Sequence, residues 1–221
     1  MTGTVIFDLD GTLIDTEKYF KVFWRQAAAA FGYQMSEDQA LQLRSLGRPY
    51  APALLKEWFG DAFDYVAVRE YRRKIMKEHL DKVGIELKPH AEQALLWLSE
   101  NGYRTAVATA TSVERATEQL KQLGIADYFD EIVSAASLEK GKPAPDVYLY
   151  ACKKLGENPK DCFAVEDSPN GVLSAYAAGL KVIMVPDQTE PDAELAAKLY
   201  ACIPSLGELP AVLDRKETIF S

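Results

Sequence analysis

The chain alternates short apolar runs with amphipathic helical stretches, and this alternation constrains its fold more than any other feature. The first run, Val5-Ile6-Phe7, is continuous and lies between two glycines, as expected of a strand buried on both faces. Four further strand patterns, each followed by a helical or polar segment, come later in the chain: YRTAVAT, EIVSA, CFAVED and LKVIMVP. Strands joined by helices pair in parallel through crossover connections. The sequence therefore predicts an α/β fold built on a doubly wound parallel sheet.

Residues 16–84 interrupt this alternation. They contain several amphipathic stretches and no convincing strand pattern, which predicts a helical bundle inserted after the first strand. The predicted helices cover residues 17–31, 37–45, 50–59 and 64–82. We therefore expect two domains: an α/β core made of residues 1–15 and 85–221, and an inserted α-helical domain made of residues 16–84.

Composition and charge exclude several classes of protein. With 48% apolar and 26% charged residues, the 221-residue chain can bury a core and lacks the composition of a disordered protein. The formal net charge of -8 argues against a nucleic-acid partner, because such partners require a basic face. The charge is uneven: residues 16–84 carry 12 Lys/Arg and 9 Asp/Glu, a net charge of +3, whereas the rest carries 13 and 24, a net charge of -11. An acidic core therefore accompanies a basic insertion.

The cysteines and the hydropathy pattern bear on the compartment. Cys152, Cys162 and Cys202 are odd in number and widely spaced, which favours a reducing compartment. We find no signal-peptide pattern and no apolar run approaching the ~20 residues that cross a bilayer. We expect a cytoplasmic monomer that has no contact with membranes.

Polar segments follow the predicted strands at their carboxyl ends, where open parallel sheets bind ligands. The first segment is Asp8-Leu9-Asp10-Gly11-Thr12. Its two carboxylates, two residues apart, can enter the same crevice, one as nucleophile and metal ligand and the other as proton carrier. The structural alternative is a turn at Asp10-Gly11.

Two more segments offer groups that suit an anion. Thr109-Ala110-Thr111 places a hydroxyl and backbone N–H groups before a helix, where phosphate can bind, although Thr111 with Glu114 also matches a capping box. Lys142 lies in a loop stiffened by two prolines, where it could neutralise a carboxylate and a phosphoryl oxygen together. Its alternative is an ordinary solvated lysine.

The fourth segment pairs Glu166 with Asp167 at the end of a predicted buried strand. Adjacent carboxylates there are costly unless they are paired or bound to a metal ion, and oxygen ligands suit Mg²⁺. Alternatively, Asp167 or Ser168 caps the next helix, with Pro169 in its first turn.

Together these segments resemble the four motifs of the haloacid dehalogenase (HAD) superfamily, in order and across essentially the whole chain. The resemblance is closest to the β-phosphoglucomutase-like phosphatases, in which a helical cap lies between the first two motifs. It implies a Rossmann-like core with an α-helical cap and a Mg²⁺-dependent phosphomonoester hydrolase. The implied substrates are small phosphorylated metabolites, particularly sugar phosphates, attacked through an aspartyl-phosphate intermediate.

The resemblance also implies roles for individual residues. Asp8 is similar to the nucleophile, Asp10 to the general acid/base and Lys142 to the motif-three lysine. Thr109 and Ala110 are similar to the phosphate-binding positions. The implied Mg²⁺ ligands are Asp8, the backbone carbonyl of Asp10, Glu166 and Asp167.

Two features of the insertion bear on substrate choice. Phe20 stands where the related mutases commonly have a histidine that assists proton transfer, so hydrolysis is favoured over the alternative, a β-phosphoglucomutase-type mutase. Arg48 falls where related caps place an arginine able to bind a second anionic group, which suggests substrate binding. Five basic residues are predicted to form a solvated helix face, and we assign no ligand to them: Arg69, Arg72, Arg73, Lys74 and Lys77.

Overall fold

The computed structural model describes residues 3–214 and confirms the α/β fold. Its strands are β1 (Thr4–Phe7), β2 (Arg104–Thr109), β3 (Glu131–Ser134), β4 (Cys162–Glu166), β5 (Lys181–Met184) and β6 (Ala201–Cys202). They form a parallel sheet in the order β3-β2-β1-β4-β5-β6. The chain leaves β1 towards β2 and β3 on one side and later returns to β4 on the other. This reversal is a topological switch point, at which such sheets bind ligands.

Helices cover both faces of the sheet and fill the insertion. They are α1 (Glu17–Ala30), α2 (Glu37–Gln42), α3 (Tyr50–Phe59), α4 (Tyr65–Val83), α5 (Ala91–Glu100), α6 (Val113–Gln122), α7 (Asp146–Leu155), α8 (Pro169–Ala177), α9 (Ala193–Ala196) and α10 (Leu209–Leu213). Helices α5, α6 and α10 pack on one face of the sheet, and α7, α8 and α9 pack on the other. Among these residues, no helix is both long and apolar enough to cross a membrane.

The first strand shows why its apolar run is continuous. Val5 and Phe7 point into the core beneath α5 and α6, whereas Ile6 points into the core beneath α7 and α8. All three are fully buried. Phe7 is level with Val107 of β2 and Val165 of β4, so the carboxyl ends of the three strands lie side by side.

The insertion has an apolar cluster of its own, in which Trp24 of α1 packs with residues such as Leu43 and Leu55. Helix α2 begins with a complete capping box, in which Ser36 and Gln39 exchange side-chain and backbone hydrogen bonds. The predicted insertion helices are found within one residue of their expected ends, except that the helix predicted over 37–45 ends at Gln42.

Two local predictions are wrong, and one strand was missed. The capping box predicted from Thr111 and Glu114 does not form: the N-cap of α6 is Ser112, and the Thr111 hydroxyl donates elsewhere. The strand predicted over 131–135 ends at Ser134, because residues 135–137 form a turn of 3₁₀ helix. Strand β6 was not predicted, since two residues carry no periodic pattern.

Candidate active site

The four predicted strand-end segments meet above the carboxyl edge of the sheet. A cavity of about 220 Å³ opens there, between the sheet and the helices of the insertion. Asp8, Asp10, Thr109 and Ala110 line it from the sheet side. Lys142, Glu166 and Asp167 are buried, and each forms an ion pair: Lys142 with Asp8 and Glu166, and Asp167 with Arg44. The sequence-predicted candidates are therefore brought together, with Arg48 at the rim contributed by the insertion.

Asp8 is buried at the end of β1, where its backbone N–H continues the ladder to the carbonyl of Val165. Its Oδ1 accepts a hydrogen bond of 2.5 Å from Lys142 Nζ. Its Oδ2 is buried and has no hydrogen-bond partner among residues 3–214. Burial raises the pKa of Asp8 to about 7, against the opposing charge of Lys142 and with the support of Glu166. One carboxylate oxygen is thus held, and the other remains available to a ligand.

Lys142 is fully buried and bridges two carboxylates. Its Nζ lies 2.5 Å from Asp8 Oδ1 and 2.5 Å from Glu166 Oε1. Burial acts to lower the pKa of Lys142, but the charges of Asp8 and Glu166 outweigh burial and raise it. Lys142 therefore stays protonated. The alternative prediction of a solvated loop lysine is wrong, because the side chain is fully buried.

Glu166 has a further partner that the sequence analysis missed. The Tyr148 hydroxyl, on α7, donates a hydrogen bond of 2.6 Å to Glu166 Oε1. Burial raises the pKa of Tyr148 well above its ordinary value, so the hydroxyl keeps its proton. Helical spacing could have indicated this partner, because Tyr148 shares the core face of α7 with Ala151 and Cys152. A buried tyrosine hydroxyl normally has a hydrogen-bond partner.

A second buried ion pair joins the insertion to the core. Arg44 follows α2 and donates to both Asp167 Oδ2 and Glu17 Oε2, the latter at 3.0 Å. Burial raises the pKa of Asp167 well above its ordinary range and that of Glu17 to about 8, in both cases against the opposing charge of Arg44. Sequence analysis missed Arg44, although in the helix predicted over 37–45 it would lie one turn after Ala40, on the same face as that buried residue.

Asp10 is held by hydroxyls rather than by charges. Thr16 donates to its Oδ1 at 2.7 Å, and Thr111 donates to its Oδ2 at 2.8 Å. Thr16 and Thr111 precede α1 and α6, and neither helix has a side-chain cap. Two hydroxyls that the sequence context suits for capping therefore orient one carboxylate instead.

The predicted phosphate-binding segment lies beside Asp10. Thr109 is buried, and its Oγ1 accepts a hydrogen bond of 3.0 Å from the backbone N–H of Thr111. Ala110 is exposed to the cavity. The segment is braced from β3, since the Ser134 hydroxyl donates to the Thr111 carbonyl at 2.6 Å.

The residues present fit a divalent cation. Asp8, Glu166 and Asp167 are buried, and one carboxylate oxygen of each lies within 4.8 Å of the others. Oxygen donors of this kind are typical ligands of Mg²⁺, and the unpartnered Asp8 Oδ2 is a buried acceptor that a cation would satisfy. The Asp10 carboxylate is not part of this cluster.

The basic run of α4 does not form a purely solvated face, so that prediction is wrong in part. Arg69, Arg72 and Arg73 line the cavity. Lys74 and Lys77 are exposed and pair with acidic residues one turn further along the helix, as predicted. The sequence could not separate the two sets, because the direction that a helix face takes depends on its tertiary neighbours.

Comparison with known proteins agrees with this arrangement. Residues 5–185 match the haloacid dehalogenase-like hydrolase family. The chain is 32% identical over 182 residues to the phosphorylated carbohydrates phosphatase of Thermotoga maritima, which covers 81% of this chain and 82% of the relative. It is 31% identical over 185 residues to the fructose-1-phosphate phosphatase YqaB of Escherichia coli, covering 82% and 95%. The structure of CbbY from Rhodobacter sphaeroides in complex with phosphate superposes with a TM-score of 0.79 at 26% identity, covering 97% and 100%.

Fold and site together define a hydrolase with an α/β core and an inserted helical cap. The chain belongs to the haloacid dehalogenase-like hydrolase family. Within that family it is a phosphatase enzyme. Its fold is also that of β-phosphoglucomutase from Clostridium difficile, with a TM-score of 0.81 at 23% identity.

Proposed function

We propose that this phosphatase is a Mg²⁺-dependent phosphomonoester hydrolase that acts on small phosphorylated metabolites, particularly sugar phosphates, through an aspartyl-phosphate on Asp8. The observation that carries the proposal is the state of Asp8. Lys142 donates to one carboxylate oxygen, and the other is buried without a hydrogen-bond partner in the structure of residues 3–214. The named relatives include phosphatases of phosphorylated carbohydrates, which supports the substrate class.

In the first step, an Asp8 carboxylate oxygen attacks phosphorus, and the bond from phosphorus to the ester oxygen breaks. Asp10 gives its proton to the departing alkoxide. Lys142 stays protonated and offsets part of the negative charge that Asp8 and the phosphoryl group bring together. Thr109 and Ala110 hold the phosphoryl group beside Asp8.

In the second step, the Asp10 carboxylate takes a proton from water, which attacks the aspartyl-phosphate and releases inorganic phosphate and free Asp8. The hydroxyls of Thr16 and Thr111 suit both states of Asp10, since a hydroxyl donates to a carboxylate and can rotate to accept from a carboxylic acid.

Asp8, Glu166 and Asp167 would hold Mg²⁺ together with the backbone carbonyl of Asp10. When bound, the cation supplies positive charge that lowers the repulsion between a carboxylate nucleophile and a phosphate ester.

The proposal is tested by phosphate release from a panel of phosphorylated metabolites with Mg²⁺. We expect release that is lost with a chelator and falls to background in Asp8→Asn, because the nucleophile is gone. Asp61→Asn is the matched control, since the Asp61 side chain is almost fully exposed. Wild-type release by Asp8→Asn would refute the assignment.

A mutase remains the alternative, and Phe20 argues against it. Phe20 lines the cavity and carries no group that could transfer a proton. Incubation with β-glucose 1-phosphate and a bisphosphate activator separates the two activities. We expect net phosphate release, and an isomerised product without release would show a mutase.

We further propose that residues 16–84 act as a cap domain over a core of residues 1–15 and 85–221, and that the protein is a cytoplasmic monomer that binds no nucleic acid. The unpaired state of Cys152, Cys162 and Cys202 supports a reducing compartment. Size-exclusion chromatography with light scattering tests the monomer, for which we expect a mass near 24.6 kDa.

A further inference from the structure

The cavity is lined by arginines that the catalytic scheme does not use. We define the arginine cluster as Arg69, Arg72 and Arg73 of α4 together with Arg115 of α6, all of which line the cavity. Each is half-buried. Arg69 and Arg73 share one carboxylate, Glu70, at 3.5 and 3.0 Å. Within residues 3–214, neither Arg72 nor Arg115 forms an ion pair.

Arg72 is the member whose surroundings are most unusual for a cation. Its guanidinium carbon lies 4.8 Å from the ring centre of Phe20 and 5.3 Å from that of Trp24. Its Nη1 donates to the sulfur of Met76 at 3.4 Å, and its Nε is buried without a hydrogen-bond partner in the described part of the chain. A guanidinium has five N–H donors, so most of its hydrogen-bonding capacity is unmet by strong acceptors.

The neighbouring positive charges also make this position unfavourable for a cation. Burial, followed by the charges of Arg73, Arg69 and Arg115, lowers the pKa of Arg72 to about 10. Arg72 therefore remains charged at neutral pH, in a place where neighbouring charges repel it. Such an arrangement is costly in the free protein unless an anion relieves it.

We propose that the arginine cluster binds a second anionic group of the substrate, so that the substrates are compact phosphate esters that also carry a second phosphate or a carboxylate. This inference rests on the proposed function and narrows its substrate class. Arg72 is held against α1 by Phe20 and Trp24, whereas Asp8 and Lys142 belong to the sheet side. A ligand that fills the cavity can therefore present one phosphate to Asp8 and its other anionic group to the cluster. The cavity of about 220 Å³ limits the ligand to a small metabolite.

The test compares esters that differ only in the second anionic group. Fructose 1-phosphate is compared with fructose 1,6-bisphosphate, and glycerol 3-phosphate with 3-phosphoglycerate. We expect kcat/KM to be about 10- to 100-fold higher for the member with the second anionic group in at least one pair, the range expected of charge-assisted, bidentate arginine contacts. The pair that shows the preference identifies the second group as phosphate or carboxylate. Equal values within both pairs would overturn the inference.

Variants then connect the preference to the cluster. Arg72→Met keeps a long side chain beside Phe20, Trp24 and Met76 but removes the charge. We expect the ratio of kcat/KM for the ester with the second anionic group to kcat/KM for the ester without it to fall about 10-fold or more. The melting temperature should be no lower than that of the wild type, because an unpaired buried cation is lost. Lys74→Met is the matched control: it removes one charge from the same helix away from the cavity and should leave the ratio unchanged.

An unchanged ratio in Arg72→Met would overturn the inference. If kcat/KM fell equally for both members of a pair, the ratio would stay the same, and Arg72 would bind the transferred phosphate instead. If Arg72→Met does not fold, Arg115→Met on the core helix provides the same test.

Calorimetric binding to Asp8→Asn separates the subsite from catalysis. Equal affinity for fructose 1-phosphate and fructose 1,6-bisphosphate, and likewise for glycerol 3-phosphate and 3-phosphoglycerate, would remove the subsite, whereas absent phosphate release by the wild type would remove only the proposed function.

Discussion

Buried charged side chains in this protein are arranged so that most of them share partners. Lys142 lies between Asp8 and Glu166, and Arg44 lies between Glu17 and Asp167. A charge taken out of water is costly unless a partner and hydrogen bonds replace its hydration. Lys142 thus joins two acidic residues, and Arg44 joins three, since Asp187 Oδ2 also lies 3.9 Å from its Nη2. The excess of acidic residues suits a site that receives a cation.

The Tyr148 hydroxyl gives a test of this network at the scale of one residue. Tyr148→Phe removes the hydrogen bond to Glu166 and keeps the ring beside Lys142, whose Nζ lies 5.2 Å from the ring centre. Because a hydrogen bond to a charged group is lost, we expect the free energy of unfolding to fall by about 1.5–3 kcal/mol. Urea denaturation measures the change.

The matched control for Tyr148→Phe is Tyr176→Phe, since Tyr176 is half exposed and its hydroxyl can bond to water. We expect its unfolding free energy to stay within about 0.5 kcal/mol of the wild type. Equal stability of the two variants would show that the Tyr148 hydroxyl contributes nothing to the network.

At the scale of elements, two loops join the insertion to the core through their backbones. The loop between α2 and α3 donates from Gly47 N–H to the Lys142 carbonyl at 2.8 Å, and the loop before α7 returns a hydrogen bond from Gly141 N–H to the Arg48 carbonyl at 2.8 Å. A Cβ built on Gly47 would lie 2.5 Å from Gly141 Cα. Only glycine allows this approach, which brings the loop carrying Lys142 against the insertion.

Gly47→Ala therefore separates the two loops, because a clash between backbone atoms cannot be relieved by a change of side-chain rotamer. We expect kcat/KM for phosphate release to fall by roughly 10- to 100-fold, as small misplacements of catalytic groups do. Steady-state kinetics measures the loss. Gly3→Ala is the control, since the nearest atom to its added Cβ is 3.6 Å away. Wild-type kinetics for Gly47→Ala would show that the contact between the loops is dispensable.

At the scale of the whole molecule, the net charge of -8 is the sum of two opposed parts. The acidic core contains the cluster that suits a cation, and the basic insertion directs Arg69, Arg72 and Arg73 into the cavity above it. An acidic protein can thus provide a site for anions, because the local arrangement of charges and not their total decides what binds.

Cation binding should stabilise the entire fold. A ligand that binds only the folded state adds about 2.7 kcal/mol at a concentration 100 times its Kd. We therefore expect MgCl₂ to raise the melting temperature above that in NaCl of equal ionic strength. Asp8→Asn should shrink the increase, because it removes one ligand, whereas Asp61→Asn should keep it. Identical melting curves in the two salts would contradict a Mg²⁺ site.

Much of the fold could be predicted because its signals are local. The run Val5-Ile6-Phe7 indicates a strand buried on both faces, and the spacing of apolar residues places the insertion helices within a residue or so of their ends. The position of the acidic segments after strands also places Asp8 and Glu166 at one edge of the sheet. These inferences need only the periods of helix and strand.

Contacts between distant segments were decided only by the tertiary structure. Lys142 meets Asp8 across 134 positions of sequence, and Arg44 meets Asp167 across 123. No local pattern predicts that the Thr111 hydroxyl donates to Asp10 instead of capping α6. Nor does a local pattern predict that Arg72 lines a cavity while Lys74 is exposed to solvent. By itself the sequence determined the α/β class, the elements long enough to show a period, their order and the residue types at the strand ends, because periodicity and turn chemistry act between neighbours. The partners, the burial of each charge and the direction of the arginines follow from packing, which brings together residues that are far apart in the chain.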